Sequence, residues 1–225
     1  MKTTRRSLLM SAGAGLALAA GAGPAAALTD EEELVDRARI TALSMLSSND
    51  FQNLQDFMKK AAGVLIFPSV LKGGFIIGAE GGRGLLCARH GGDWSYPAFY
   101  HLAGASIGFQ IGGQISQVMM VIMNEAALGR ILANNIELGA GASIAVGPLG
   151  KEIGAGSSGE FEADIYTFAA TQGFYAGMNF EGASISEDED RNTYYYGKRL
   201  SAADIVLHHA GANSQAEPLR QALRT

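Results

Sequence analysis

The chain has 225 residues, 48% of them hydrophobic and 17% charged, with thirty glycines, five prolines and one cysteine. Seventeen Lys and Arg against 22 Asp and Glu leave a net charge of −5. This composition gives room for one domain with an apolar core. It excludes a disordered chain, a general nucleic-acid binder, a disulfide framework and a multi-thiolate metal site.

Lys2, Arg5 and Arg6 form a positive start, followed by an apolar, small-residue run over 8–22 and by Ala25-Ala26-Ala27. The layout predicts an export signal. Thr4-Arg5-Arg6-Ser7-Leu8-Leu9 predicts the twin-arginine route, with an ordinary secretory signal or an uncleaved anchor as alternatives. Gly13, Gly15, Gly21 and Gly23 make the run a poor permanent span, and Leu28 stands where a lipid anchor would need cysteine. Cleavage after Ala27 leaves 28–225 as a single domain, periplasmic or secreted, with 14 basic and 22 acidic residues and a formal charge of −8. Such acidity disfavours approach to an anionic surface unless the charges are segregated.

Thr29 with Glu32 three residues on is a capping-box pattern, and Leu34, Val35, Ala38, Ala42, Met45 and Leu46 recur at helical spacing. A helix over 30–46 follows, ended by Ser47-Ser48-Asn49. A second is expected over 51–62, presenting Leu54, Phe57, Met58 and Ala61, with Gly63 as its C-cap. These helices are expected to cover a sheet. Their acidic face weakens the alternative of a membrane-surface role.

From 63 to 182, 24 of 120 residues are glycine, mostly beside short apolar or aromatic runs. Strands are predicted over 64–67, 74–80, 84–89, 98–103, 106–111, 116–123, 143–146, 153–155, 163–169, 175–180 and 193–196. Glycine weakens a strand, so this density calls for bends, bulges and close sheet contacts. The expected fold class is therefore α+β: a strongly coiled antiparallel sheet or small barrel-like core, packed against N-terminal helices and a C-terminal helix. Too few helical segments separate the strands for a parallel βαβ protein.

Trp94 to Asn124 holds no charged residue, yet Pro97, the glycines, Gln110, Gln114 and Gln117 break it as a membrane span. Asn124 is placed to cap a helix through 133 that buries Leu128, Ile131 and Leu132. The acidic run 187–190 is expected as a solvated loop and 201–207 as the start of a closing helix. Past His208-His209 a frayed tail is expected, with a weak helix near Leu219.

No catalytic constellation stands out. Gly81-Gly82-Arg83-Gly84 and Gly112-Gly113 lack the Lys-Ser/Thr pair of a phosphate loop, and Gly156-Ser157-Ser158-Gly159 has the wrong spacing for a nucleophile elbow. His208-His209 is a metal candidate with no evident partner ligand, since sequence neighbours on a helix point apart; a surface pair is the simpler reading. His90 lies beside a Gly-Gly turn. His101, in an apolar strand, reads as a hydrogen-bonded core or pocket residue, and Cys87 as a buried filler. Glu187 to Asp190 lack the spacing of a calcium loop. No cofactor, metal or catalytic residue is expected.

Several segments together carry a family resemblance. They begin with Val64-Leu65-Ile66-Phe67-Pro68-Ser69-Val70-Leu71-Lys72-Gly73-Gly74-Phe75, then Gly78 and Gly81-Gly82-Arg83-Gly84-Leu85-Leu86. Trp94-Ser95-Tyr96-Pro97-Ala98-Phe99, Gly104-Ala105-Ser106-Ile107-Gly108-Phe109-Gln110-Ile111-Gly112-Gly113-Gln114 and Gly147-Pro148-Leu149-Gly150 follow. Ile165-Tyr166-Thr167-Phe168, Gly173-Phe174-Tyr175-Ala176-Gly177 and Asn192-Thr193-Tyr194-Tyr195-Tyr196-Gly197 complete the set. In this order, over roughly 34–207, the chain resembles the SYLF domain, a lipid-binding or actin-binding domain in eukaryotic members. Those members pair it with SH3 or FYVE modules and are associated with phosphoinositide membranes, endocytosis and actin bundling. The resemblance implies a non-enzymatic binding module. Phosphoinositides would be unusual in a bacterial envelope, and actin is not an expected partner of an exported chain.

The leading functional reading is an envelope protein binding lipid or another amphipathic ligand. Lys72, Arg83 and Arg89 are its candidate headgroup contacts, and Trp94, Phe99 and Tyr100 its aromatic support. Lys72 and Arg83 flank the first hairpin and are expected to converge at one end of the sheet. The alternative is a structural or protein-interaction module of the envelope, with a homo-oligomer possible through exposed strand edges. A hydrolase rests on His101 and scattered Ser and Asp alone.

Overall fold

A computed structural model of the chain describes residues 27–133, 136–147, 163–171, 174–175 and 180–224, and only the backbone of 74–77, 106–112 and 174–175. The expected export signal, the strand expected at 153–155, the 156–159 loop and most of the strand expected at 175–180 lie outside the described residues.

Helix α1 (Asp30–Ser47) opens with the expected reciprocal cap: Glu32 N donates to Thr29 Oγ1 at 3.2 Å, and Thr29 N to Glu32 Oε2 at 2.9 Å. Its acidic first turn also complements the helix dipole. Ser48 ends it in an extended conformation. The second expected helix is two pieces, a 3-10 turn (Asn49–Phe51) and α2 (Leu54–Lys60). Ala61 ends α2 in extended backbone, and Gly63 begins the next strand instead of capping the helix.

That strand, β1 (Gly63–His90), is continuous where three short strands were expected. Gly91 and Gly92, with φ of 55° and 95°, turn it into β2 (Asp93–Trp94), and β3 (Ala98–Ile122) likewise merges three expected strands. β1 and β3 run antiparallel from Gly63 opposite Ile122 to Leu86 opposite Ala98, with register shifts at Phe67/Val70 and Gly74/Ile76. The glycines therefore bend one long ribbon without ending it. Straight, 28 residues would reach about 90 Å at roughly 3.3 Å each. Instead β1 returns on itself, and Arg89 N donates to Ala62 O at 2.8 Å. Where the strand passes over its own start only glycine fits: a Cβ on Gly82 would stand 2.6 Å from Ser69 O, and one on Gly84 2.5 Å from Ile66 O.

Helix α3 (Glu125–Leu132) is capped by Asn124, whose Oδ1 accepts from Ala127 N at 2.8 Å. It buries Ala127, Leu128 and Ile131. Short strands β4 (Ile136–Glu137) and β5 (Ile144–Val146) precede β6 (Ile165–Thr171), β7 (Phe174–Tyr175) and β8 (Ser184–Glu187). β6 joins the second half of β3 and β8 the first half, both antiparallel; β5 lies parallel to β6. The result is the expected α+β class, a strongly curled sheet with helices at both ends.

Residues 193–196, expected as a strand, lie in helix α4 (Glu189–Tyr196). Asp188 caps it by accepting from Arg191 N at 3.2 Å, and Gly197 at φ 66° closes it. Burial of Asn192 and Tyr195, three apart, overrides the β propensity of the Thr-Tyr run. The acidic run is thus a cap and first turn, with Asp188 buried, and not a solvated loop. Helix α5 (Ala202–Val206) has a Ser201/Asp204 capping box. The expected frayed tail is ordered through a 3-10 turn (Ser214–Ala216) and α6 (Glu217–Ala222), because Ala216, Leu219 and Leu223 are buried.

Strand alternation divides the apolar residues between two cores. Leu65, Phe67, Leu86, Tyr100 and Met120 face one, closed by α3 and α5; Ile66, Leu85, Phe99, Met119 and Phe168 face the other, closed by α1, α2 and α6. No described helix is long and apolar enough to cross a membrane.

Candidate functional site

The six candidate residues fall into different surroundings. Lys72 sits opposite Gln114 near the bend of the ribbon, its Nζ 3.0 Å from Glu80 Oε2. The Glu80 side chain is only 2% exposed, so this cation is committed to neutralising a buried carboxylate. Arg83 lies three residues beyond Glu80 on the same strand, hence on the opposite face. Lys72 and Arg83 therefore do not converge. Arg89 holds the end of α2, donating from Nε to Ala61 O at 3.1 Å and from Nη2 to Met58 O at 2.5 Å. Its guanidinium also covers the Trp94 ring at 4.4 Å, and burial lowers its pKa.

Trp94, Phe99 and Tyr100 are packed in the cores, not along an open groove. Trp94 Nε1 donates to Leu223 O at 2.7 Å and so anchors the C-terminal helix. Phe99 meets Tyr195 edge to face, and its backbone N donates to Asn192 Oδ1 at 2.8 Å. The Tyr100 hydroxyl is buried without a hydrogen-bond partner; burial first, and then the charge of Glu187, raises its pKa. Glu187 accepts from Ala202 N at 2.6 Å and from Asn192 Nδ2 at 3.0 Å, fastening α4 and α5 together. Burial raises its pKa.

Arg83 is the candidate left at an opening. It lines a cleft of about 340 Å³ with Asp30, Glu33, Arg37, Pro68, Ser69 and Arg191, where α1 begins beside β1 and α4. Arg191 is bound to Glu31 at 2.6 Å and Asp188 at 3.3 Å, and Arg37 approaches Glu33 at 3.9 Å. Arg83 is exposed and has no carboxylate partner among the described residues. His101 stands directly opposite Arg83 across the ribbon, with Nε2 2.7 Å from Asp188 Oδ2. The cleft thus offers one free guanidinium beside a row of paired charges, a setting that accepts a small anion or headgroup.

Two further features escape the linear reading. Leu71 and Ile115 are direct cross-strand partners and are 56% and 55% exposed. In the sequence both fall between predicted strands, 64–67 and 74–80 for Leu71 and 106–111 and 116–123 for Ile115, and which face of a bent ribbon is covered is decided elsewhere. Arg191 enters the cleft because residues 189–196 are helical. The signals for that helix were Asp188 before an acidic first turn and Gly197 after the last tyrosine. Among the described residues no group of three or more His, Cys, Asp or Glu side chains gathers to hold a metal. Cys87 is buried and its thiol is pushed up to about 12, mainly by burial, as befits a filler.

The family described as "Ysc84: Las17-binding protein actin regulator" matches residues 103–225, more than half of the chain. SH3 domain-containing YSC84-like protein 1 of Rattus norvegicus is 32% identical over 168 residues, 74% of this chain and 49% of that protein. Its Homo sapiens counterpart is 32% identical over 166 residues, 73% of this chain and 48% of that protein. LAS seventeen-binding protein 3 of Saccharomyces cerevisiae is 29% identical over 174 residues, 76% of this chain and 38% of that protein. The chain spans about half the length, or less, of these relatives. With the curled sheet and its glycine crossings in place, the matched residues make this chain a member of the Ysc84 family, the family of the SYLF domain.

Proposed function

We propose that the chain is a non-enzymatic binding module of the bacterial envelope, exported by the twin-arginine route, that engages lipid or another amphipathic ligand. The exposed pair Leu71 and Ile115 carries this reading. Two large aliphatic side chains, directly opposed at the glycine-rich bend, favour an apolar partner over water. Arg83 adds a free cation for a headgroup phosphate, while Lys72 and Arg89 serve the fold. Kinship to a family described as a binding protein and regulator supports a module without a reaction.

Flotation of the mature chain with phosphatidylethanolamine and phosphatidylglycerol vesicles tests this. Co-flotation that survives high salt, and that falls when Leu71 and Ile115 are both replaced by Asp, is expected; Arg83→Ala should reduce only the salt-sensitive part. Absence of co-flotation at every composition defeats the lipid reading. The protein-interaction reading is favoured by the name of the yeast relative and by β5, which lies at the sheet edge among the described residues with Val146 44% exposed. A mass that rises with concentration would select it.

A further inference from the structure

The tertiary structure supplies the partner that His208-His209 lacks in the linear sequence. His90 ends β1 at the Gly91-Gly92 turn, and His209 follows α5, more than a hundred positions later. Their rings meet edge to face with centroids 4.5 Å apart and planes at 74°. Both residues are exposed, so a dissolved ion reaches them.

The backbone of His209 is a second, independent observation. Ala210 N donates to Asp204 O at 2.9 Å, and the chain leaves α5 through His209 at φ 51°. Elsewhere among the described residues positive φ belongs to glycine: Gly91, Gly92, Gly139, Gly182 and Gly197. Glycine would fill this left-handed position at less cost, and the chain is rich in it. A non-glycine side chain at a left-handed position points to work done by that side chain. Here its ring is carried onto His90.

We propose that His90 and His209 form a two-imidazole site for a late first-row divalent cation of the zinc or copper class. Imidazole nitrogen is the preferred ligand type of these ions. Two imidazoles on one tetrahedral ion, with metal–nitrogen bonds of about 2.0–2.1 Å, place their centroids about 5 Å apart, so the ion is admitted when the exposed rings rotate from their edge-to-face contact and separate slightly from 4.5 Å. No third protein ligand is gathered there among the described residues. The site therefore leaves the remaining positions to water or to donor atoms of a bound molecule. Bound metal would staple the β1–β2 turn to the segment after α5.

The test is calorimetric titration of the untagged chain with Cu²⁺ and with Zn²⁺, paired with Cu²⁺ quenching of Trp94, the single tryptophan and four residues from His90. One-to-one uptake is expected. It should weaken at least roughly tenfold in His90→Ala and in His209→Gly, and be retained in His208→Ala. His209→Gly relaxes the backbone, so its loss of binding cannot be ascribed to misfolding, and its melting temperature without metal should equal or exceed that of the parent. Uptake unchanged in either of the two variants, or no one-to-one uptake of either ion by the folded parent chain, overturns the proposal.

Discussion

Glycine here does different work at different positions, and the contrast is measurable. At Gly84 an added methyl would collide with the Phe67 ring and stand 2.5 Å from Ile66 O, a backbone atom that cannot swing aside. At Gly113 nothing lies within 4 Å of the same methyl. Gly84→Ala should therefore destabilise the chain by about 1–3 kcal/mol or more through overpacking. Gly113→Ala should be neutral or stabilising by up to about 1 kcal/mol, since it narrows the unfolded ensemble. Equilibrium urea unfolding of both variants checks the pair; equal effects would mean that β1 does not cross its own start. The arginines divide similarly. Arg89 and Arg191 are consumed by carbonyl and carboxylate partners, and Arg83 remains open.

At the scale of elements, the C-terminal helix is held by a buried apolar edge and an ionic clasp. Leu219 and Leu223 pack inward, while Arg220 and Arg224 both reach Asp93, at 3.1 and 2.7 Å. The hydrogen bond from Arg224 chiefly, then that from Trp94 N, brings the Asp93 carboxyl from 3.8 down to about 2. A carboxyl depressed on folding stabilises the native state fully above its unfolded value, and that contribution is lost as pH falls through the folded one. The clasp should therefore slacken between pH 3.8 and about 2. Trp94, tied to Leu223 O, reports it: acrylamide quenching should rise across that window ahead of any loss of far-UV circular dichroism. Asp93→Asn should show part of the rise at neutral pH. The pair is exposed and salt-screened, so the change is modest, and flat quenching in that window would refute the clasp.

For the whole molecule, the same two strands line both cores. Neighbours Met119 and Met120 face opposite sides of β3, each fully buried. A cavity on either side must strain the shared backbone. Met119→Ala and Met120→Ala should each cost about 2–5 kcal/mol. Both should shift one common transition, seen alike by Trp94 emission and circular dichroism. Two separable transitions would show that the cores fold as independent units.

Much of this architecture was legible from local chemistry. The Thr29/Glu32 box, the Asn124 cap, the alternating apolar pattern and the glycine density establish the α+β class, the first helix and the strongly curled sheet, because each acts over a few residues. The merging of six predicted strands into two was hidden, since a glycine in an extended run looks the same whether the strand stops or bends. Likewise, Trp94, Phe99 and Tyr100 were expected as aromatic support for a ligand and lie in the cores, because burial depends on what packs above a strand and not on the strand itself. Linear order determined which residues are apolar, where helices begin and where the chain must bend. Only the return of β1 upon its own start, and the docking of distant helices on both faces, decided that Leu71, Ile115 and Arg83 stay open and that His90 meets His209. Those choices are contacts between residues far apart in the chain, which local propensity does not encode.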